Sequence, residues 1–190
     1  METNYRLLLF IAGFILFSSC SCGQTVSHDK AIEYYIIVAT EMKNSSKIVN
    51  DLVQVTAMAY IAAEQDQKKM LESGYIDTLI NYYDVSTIAL GKSIDKLSTV
   101  CEIDQSINLK ARSLTLLIDI KTLIDSSWPP MIKILSRGLG QPTDKERELL
   151  EKLMLIVDEL KTANADVEKL ARDFRDKHNI TNDDIKKYGL

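Results

Sequence analysis

From Leu149 to Phe174 the apolar residues Leu149, Leu153, Ile156, Leu160, Ala163, Val167, Leu170 and Phe174 recur at alternating spacings of four and three. That rhythm puts all of them on one stripe of an α-helix, the kind of seam that lies along a neighbouring helix at a shallow crossing angle. So long a stripe has to be covered, and the rest of the chain must supply helices of matching length. Residues that interrupt helices are scarce, with 7 glycines and 3 prolines among 190 residues. Few breakers favour long helices over a many-turned β fold. A hydrophobic content of 46% is ordinary for a folded domain, and a chain of this size buries a core without staples.

The same periodicity predicts three more long helices upstream. The first begins near Asp29, capped by Asp29 or Ser27, and carries Ile32, Ile36, Ala39 and Met42, then Val49, Val53, Tyr60 and Ala63. Asn44-Ser45-Ser46 interrupts its stripe, either as a kink or as a break that frees residues 28–43 as an arm. Lys68, Lys69 and Ser73-Gly74 mark its end, since cations and a glycine suit a helix C-terminus. The second runs from about Ile76 to Cys101 through Leu79, Tyr83, Leu90, Ile94 and Leu97, and Glu102–Ser106 makes the next turn around Asp104. The third carries Leu109, Leu114, Leu117, Ile118, Ile120, Leu123 and Ile124. Apolar around most of its circumference, it is expected to be the most buried.

Ser126-Ser127-Trp128-Pro129-Pro130 is expected to end or kink that helix, because proline lacks the backbone donor and clashes with the preceding turn. A short helix, Met131–Arg137, then follows, closed by Gly138 and Gly140. Thr143 and Glu146 form a capping box for the helix that bears the long seam. Asn179–Asn182 ends it, and Thr181 with Asp184 starts a last turn near Tyr188. The expected fold is all-α: an antiparallel up-down-up-down four-helix bundle with long helices, plus the short helix after Pro129-Pro130. In that arrangement the first helix begins where the fourth finishes. Ile32, Tyr35 or Ile36 is then expected against Phe174 or its neighbours, with His28 near His178.

The N-terminus reads differently. Leu7–Phe17 is an unbroken apolar run after a short start that carries Arg6. It is too short to span a bilayer comfortably, which takes about 20 residues, and suits the core of an export signal. Phe17-Ser18-Ser19-Cys20 follows: a large apolar residue, two small ones, then cysteine. This segment resembles the lipobox of bacterial lipoproteins, in which the cysteine is lipidated and becomes the first residue of the mature chain. It departs from the common pattern in having Phe17 where leucine is usual and in its weakly positive start. The resemblance implies a signal peptide over residues 1–19, a lipidated Cys20 with a small polar tether over 20–27, and a bundle domain over 28–190. It also implies a place in the bacterial cell envelope, held to a membrane by the lipid, at the outer membrane or periplasmic face in a Gram-negative cell. Cys22 fits less well, since Ser19 would fill the apolar position. With Cys20 acylated, Cys22 and Cys101 make no disulfide framework, and Cys101 is expected as a small buried hydrophobe.

Motifs that would carry chemistry are missing or incomplete. Gly91-Lys92-Ser93 looks like the close of a phosphate-binding loop, but Ser86 stands where that loop needs glycine, and the surroundings are helical. Inward Glu-x-x-His pairs would build a di-iron site, yet Thr25 and Arg175 precede His28 and His178 by three. Those two histidines lack the close-spaced companions a zinc site needs, and both are expected at the surface. No nucleophile elbow or His-Glu-x-x-His occurs, and Asp77, Asp84 and Asp119 read as polar-face or capping residues. A net charge of -4 with no basic run argues against nucleic acid. In the pairs Tyr34-Tyr35 and Tyr82-Tyr83, one ring is expected in the core and the other at its rim, though a ligand cleft is open to them. Trp128 is either the cap of the bundle end or an exposed anchor for a partner.

No cofactor, metal or nucleotide is therefore expected, and no enzymatic activity. The leading expectation is a non-catalytic envelope lipoprotein whose bundle binds another protein or plays a structural part. The alternative is a carrier of a small apolar ligand between its helices. A tightly packed core favours the first, and an enclosed apolar cavity the second.

Overall fold

The structure is a computed structural model that describes residues 26–65, 74–137 and 143–188, leaving aside the side chains of residues 64, 65, 150 and 152–161. Within these bounds the protein is all-α. Its helices are α1 (His28–Gln65), α2 (Tyr75–Thr99), α3 (Leu109–Ser136), α4 (Asp144–Lys177) and α5 (Asn182–Lys186). Each long helix packs on the next in sequence, and α1 also meets α3, α4 and α5. Among the described residues no helix is long and apolar enough to cross a membrane. Cys20, Cys22 and the Leu7–Phe17 run lie outside the described residues, as do Lys68, Lys69, Gly138 and Gly140. The seam side chains Leu153, Ile156 and Leu160 are also not described.

Local chemistry sets several helix ends. Ser27 Oγ accepts from Lys30 N at 3.4 Å, at the start of α1. Gly74, expected to close α1, instead opens α2 in the left-handed region at φ 73°, which favours glycine. The Thr143–Glu146 capping box is formed in both directions, and Thr181 with Asp184 forms a second one that starts α5. Between them Asn179 turns left-handed at φ 55°, and Ile180 N donates to Arg175 O at 2.9 Å. This is the Schellman closure of α4, and it folds Ile180 back into the core.

Two expected interruptions are absent. α1 runs straight through Asn44-Ser45-Ser46 as a single helix of 38 residues. Its buried seam is Ala31, Ile32, Tyr34, Val38, Glu41, Ser45, Leu52, Thr56, Ala59 and Ala63, which shares Ile32 and Ala63 with the stripe that apolar periodicity indicated and otherwise lies beside it. Three of these positions are polar, so a search for apolar residues selects Ile36, Ala39, Met42, Val49 and Val53 instead, all only half-buried. Ser45 falls on the packed face, and packing outweighs the small intrinsic cost of serine in a helix. Residues 28–43 are thus part of the bundle and not a separate arm.

The second missing interruption is at the prolines. α3 continues through Pro129 and Pro130 to Ser136, with no separate helix after them. The physical reason lies in their position on the helix. Both prolines are exposed, as are Asp125 and Ser126, whose carbonyls lose their helical donors and can turn to water. The opposite face keeps its register, burying Ile124, Trp128, Met131 and Leu135 along one line. Trp128 is accordingly neither a loop anchor nor an end cap. It is 1% exposed, and its Nε1 donates to Thr56 Oγ1 on α1 at 3.0 Å. The satisfied indole lets the largest side chain of the protein sit in the core.

Two smaller expectations also need correcting. α2 stops at Thr99, and Cys101 beyond it is exposed rather than buried. Ile118 faces outward at 44% exposure while Leu116 and Leu117 are buried, so α3 has one exposed side despite its apolar circumference.

Candidate functional site

Two places bring chemically capable side chains together. The first is the end of the fold where α1 begins and α4 finishes. Tyr34 and Tyr35 of α1 lie on Phe174 of α4, with ring centroids 5.0 and 6.5 Å apart. His178 closes on the other side of Phe174, at 4.3 Å between centroids. His28 Nδ1 is 3.0 Å from the carbonyl oxygen of His178. The expected meeting of α1 with Phe174, and of His28 with His178, is therefore present. His178, however, is half-buried rather than a surface residue.

Asp104, in the α2–α3 connection, is the hub of this end. One carboxylate oxygen accepts from Ser106 N at 3.0 Å and from Ser106 Oγ at 2.7 Å, a local turn that ties the loop to itself. The other accepts from Lys177 Nζ at 2.7 Å and lies 3.0 Å from His178 Nε2. Burial alone would raise the Asp104 pKa, but the Lys177, Ser106 and His178 hydrogen bonds outweigh it and hold the carboxyl well below the usual carboxylate range. Beside it, α3 starts at Asn108, whose left-handed backbone makes no side-chain cap. The free amides are met from a distance instead. Lys110 N donates to Tyr34 Oη at 2.9 Å and Ala111 N to Glu102 Oε2 at 3.1 Å, while the Tyr34 hydroxyl donates to Glu102. Burial, then the bond to Glu102 and its charge, push the Tyr34 phenol far up.

Chemically this end is self-satisfied. The Ser106 hydroxyl donates to Asp104 and receives Lys177 Nζ at 2.6 Å, so it is not aimed at His178, and the carboxylate it faces is held too acidic to take its proton. A similar arrangement lies midway along α1. The Glu41 carboxylate is 7% exposed and takes Ser93 Oγ at 2.8 Å and Lys96 Nζ at 2.5 Å from α2. The Gly91-Lys92-Ser93 segment is thus helical, and its serine serves a buried carboxylate. Among the described residues no cluster of three or more His, Cys, Asp or Glu is placed to hold a metal ion.

The second place is a cleft of about 320 Å³ between α1, α3 and α4, open along one side. Tyr35, Val38, Ala39 and Met42 of α1, Leu109 of α3, and Val167 and Ala171 of α4 form its walls. Lys43 and Ser46 of α1 with Asn164 and Glu168 of α4 make one end polar. Ser113 of α3, which is 0% exposed, lies at the floor, and its hydroxyl has no hydrogen-bond partner. Tyr35 is held between Phe174 and the Arg175 guanidinium, 5.8 Å from its ring centre. The first tyrosine pair therefore divides as expected, Tyr34 into the core and Tyr35 to a rim, which is also the wall of a cleft. Tyr82 and Tyr83 are both half-buried.

Sequence reasoning missed the cleft and the buried Glu41, because both depend on which helix lies opposite. One signal was available in Asp104-Gln105-Ser106, the pattern of a side-chain-closed turn. Set against known protein families, characterised proteins and solved structures, the chain matches none.

Proposed function

We propose that the protein is a non-catalytic envelope lipoprotein, anchored by lipid on Cys20, whose domain serves as a protein-binding or structural module. In this reading residues 1–19 are removed, 20–27 tether, and 28–190 form a four-helix bundle of up-down-up-down order. That order is supported by Tyr34 lying beside Lys110 and Thr56 beside Trp128, and by Glu41 lying beside Ser93 and Lys96.

The observation that carries the reading is the closure of the fold at the start of α1. His28, Asp104, Phe174 and His178 lock both ends of the domain together where the tether enters. Residues 20–27 reach at most roughly 29 Å when extended, so the closed end sits near the bilayer. The far end of α1, roughly 50 Å away along its axis, points outward. There Met58 and Ile61, one turn apart, are 54% and 51% exposed, apolar surface suited to a protein partner.

The test is membrane fractionation. Wild-type protein is expected with the membrane, and Cys20→Ala protein in the soluble fraction or stalled before processing. Wild-type protein recovered as soluble would end the reading.

A second reading, a carrier of a small apolar ligand, rests on the cleft between α1, α3 and α4, whose volume lies at the lower end of the about 300–1,000 Å³ typical of ligand sites but which is open along one side and polar at one end rather than the enclosed apolar cavity expected of a carrier.

A further inference from the structure

We propose that this cleft binds a single-chain amphiphile with a carboxylate head, of the fatty-acid class. The inference rests on the carrier reading and adds the chemistry of the ligand. The cleft is graded along its length. Tyr35, Val38 and Leu109 leave one end apolar, and Lys43, Ser46 and Asn164 make the other polar. A ligand apolar throughout would leave the polar end unmatched, and a wholly polar one would strand the apolar walls.

Two unmet donors locate the head. The Ser113 hydroxyl is fully buried at the floor with no partner, uncommon for a buried polar group. Serine in a helix ordinarily returns its hydroxyl to the carbonyl one turn back, as Ser86 does to Tyr82 at 2.6 Å, and Ser113 does not. Lys43, at the rim, has no ion-pair or hydrogen-bond partner among the described residues. A carboxylate has two oxygens and accepts from both donors at once. Glu168 stands on the α4 side and already accepts from Asn164 Nδ2 at 2.8 Å. Its like charge directs an anionic head to the α1 side, where Lys43 stands. An ammonium head would find the second oxygen of Glu168 free, but it would stand beside the like charge of Lys43 and leave that group unmet.

Photo-crosslinking in native membranes tests this on the full chain. The probes are a medium-chain diazirine fatty acid, the matching alcohol and the matching amine, with labelled peptides mapped by mass spectrometry. The acid is expected to label peptides from residues 35–46, 109–113 or 164–171. Lys43→Ala should lower labelling by the acid about tenfold and leave labelling by the alcohol unchanged. Ala39→Trp, which fills the cleft, should lower labelling by both. If the alcohol or amine labels as well as the acid and Lys43→Ala has no effect, the carboxylate assignment falls and the carrier reading stands. If no probe labels these peptides, or Ala39→Trp and Lys43→Ala proteins both label like the wild type, both fall together. Lys43 is exposed, so its variant keeps the test decisive even if Ala39→Trp fails to fold.

Discussion

Replacing Asp104 tests whether the closed end holds the fold together. Its side chain is 6% exposed and receives Lys177, His178 and two groups of Ser106. Lys177 is 49% exposed and regains water when its partner goes, so that contact is worth only about 0.2–1 kcal/mol. The His178 contact, between groups that are largely buried, is worth about 1–2 kcal/mol, and the Ser106 turn about 1 kcal/mol. Asp104→Ala should therefore destabilise by about 2–4 kcal/mol at pH 7. Asp104→Asn, which keeps the shape and part of the turn, should lose about 1–2 kcal/mol. The pH dependence gives a second check. The folded state holds this carboxyl ionised further into acid than the unfolded chain does, where its pKa is about 3.9. On acidification the unfolded state takes up the proton first, so this contribution is complete above about pH 5 and is lost as pH falls below about 4. Urea midpoints at neutral and acid pH measure both effects. The stability gap between wild type and Asp104→Asn should shrink in acid. No gap at pH 7, or one that is the same at every pH, would refute the reasoning.

Further predictions concern the core. Trp128→Ala should cost about 3–5 kcal/mol, and Thr56→Val, which leaves the indole donor without its acceptor, about 1–3 kcal/mol by urea unfolding. Pro130→Ala returns an amide to the Ser126 carbonyl within a continuous helix. It should raise stability by about 1–2 kcal/mol, seen as a higher Tm, and a lower Tm would contradict the unbroken α3. Leu117→Ala should cost about 2–5 kcal/mol and Ile118→Ala less than about 0.5 kcal/mol; comparable losses would mean the buried face of α3 is misassigned.

The helical class, the capping box at Thr143 and the last turn started by Thr181 and Asp184 were legible in the sequence, because each depends on spacing along one segment; the approach of α1 to Phe174 was expected from an antiparallel order of the long helices. Where tertiary partners decide, sequence reading stopped short. Glu41 and Thr56 lie on the buried seam of α1: the facing Ser93 and Lys96 make the burial of Glu41 tolerable, and Thr56, whose hydroxyl donates to Leu52 O at 2.7 Å, is the acceptor for Trp128. Pro129 and Pro130 read as a break, since a chain alone does not reveal that they face water while Trp128 and Met131 hold the register. Cys101 looked like a core residue by continuation of the α2 stripe, yet the helix ends before it. The cleft arises from Ala39 and Ala171 being small on helices distant in sequence, and no local pattern records that.

The central claim, a domain held to a membrane by lipid on its first mature residue, is tested most directly by metabolic labelling with a fatty-acid probe and the intact mass of the mature protein. The account predicts labelled wild type beginning at Cys20, unlabelled Cys20→Ala, and Cys22→Ala labelled like the wild type. Equal labelling of wild type and Cys20→Ala, or labelling lost only in Cys22→Ala, would contradict it.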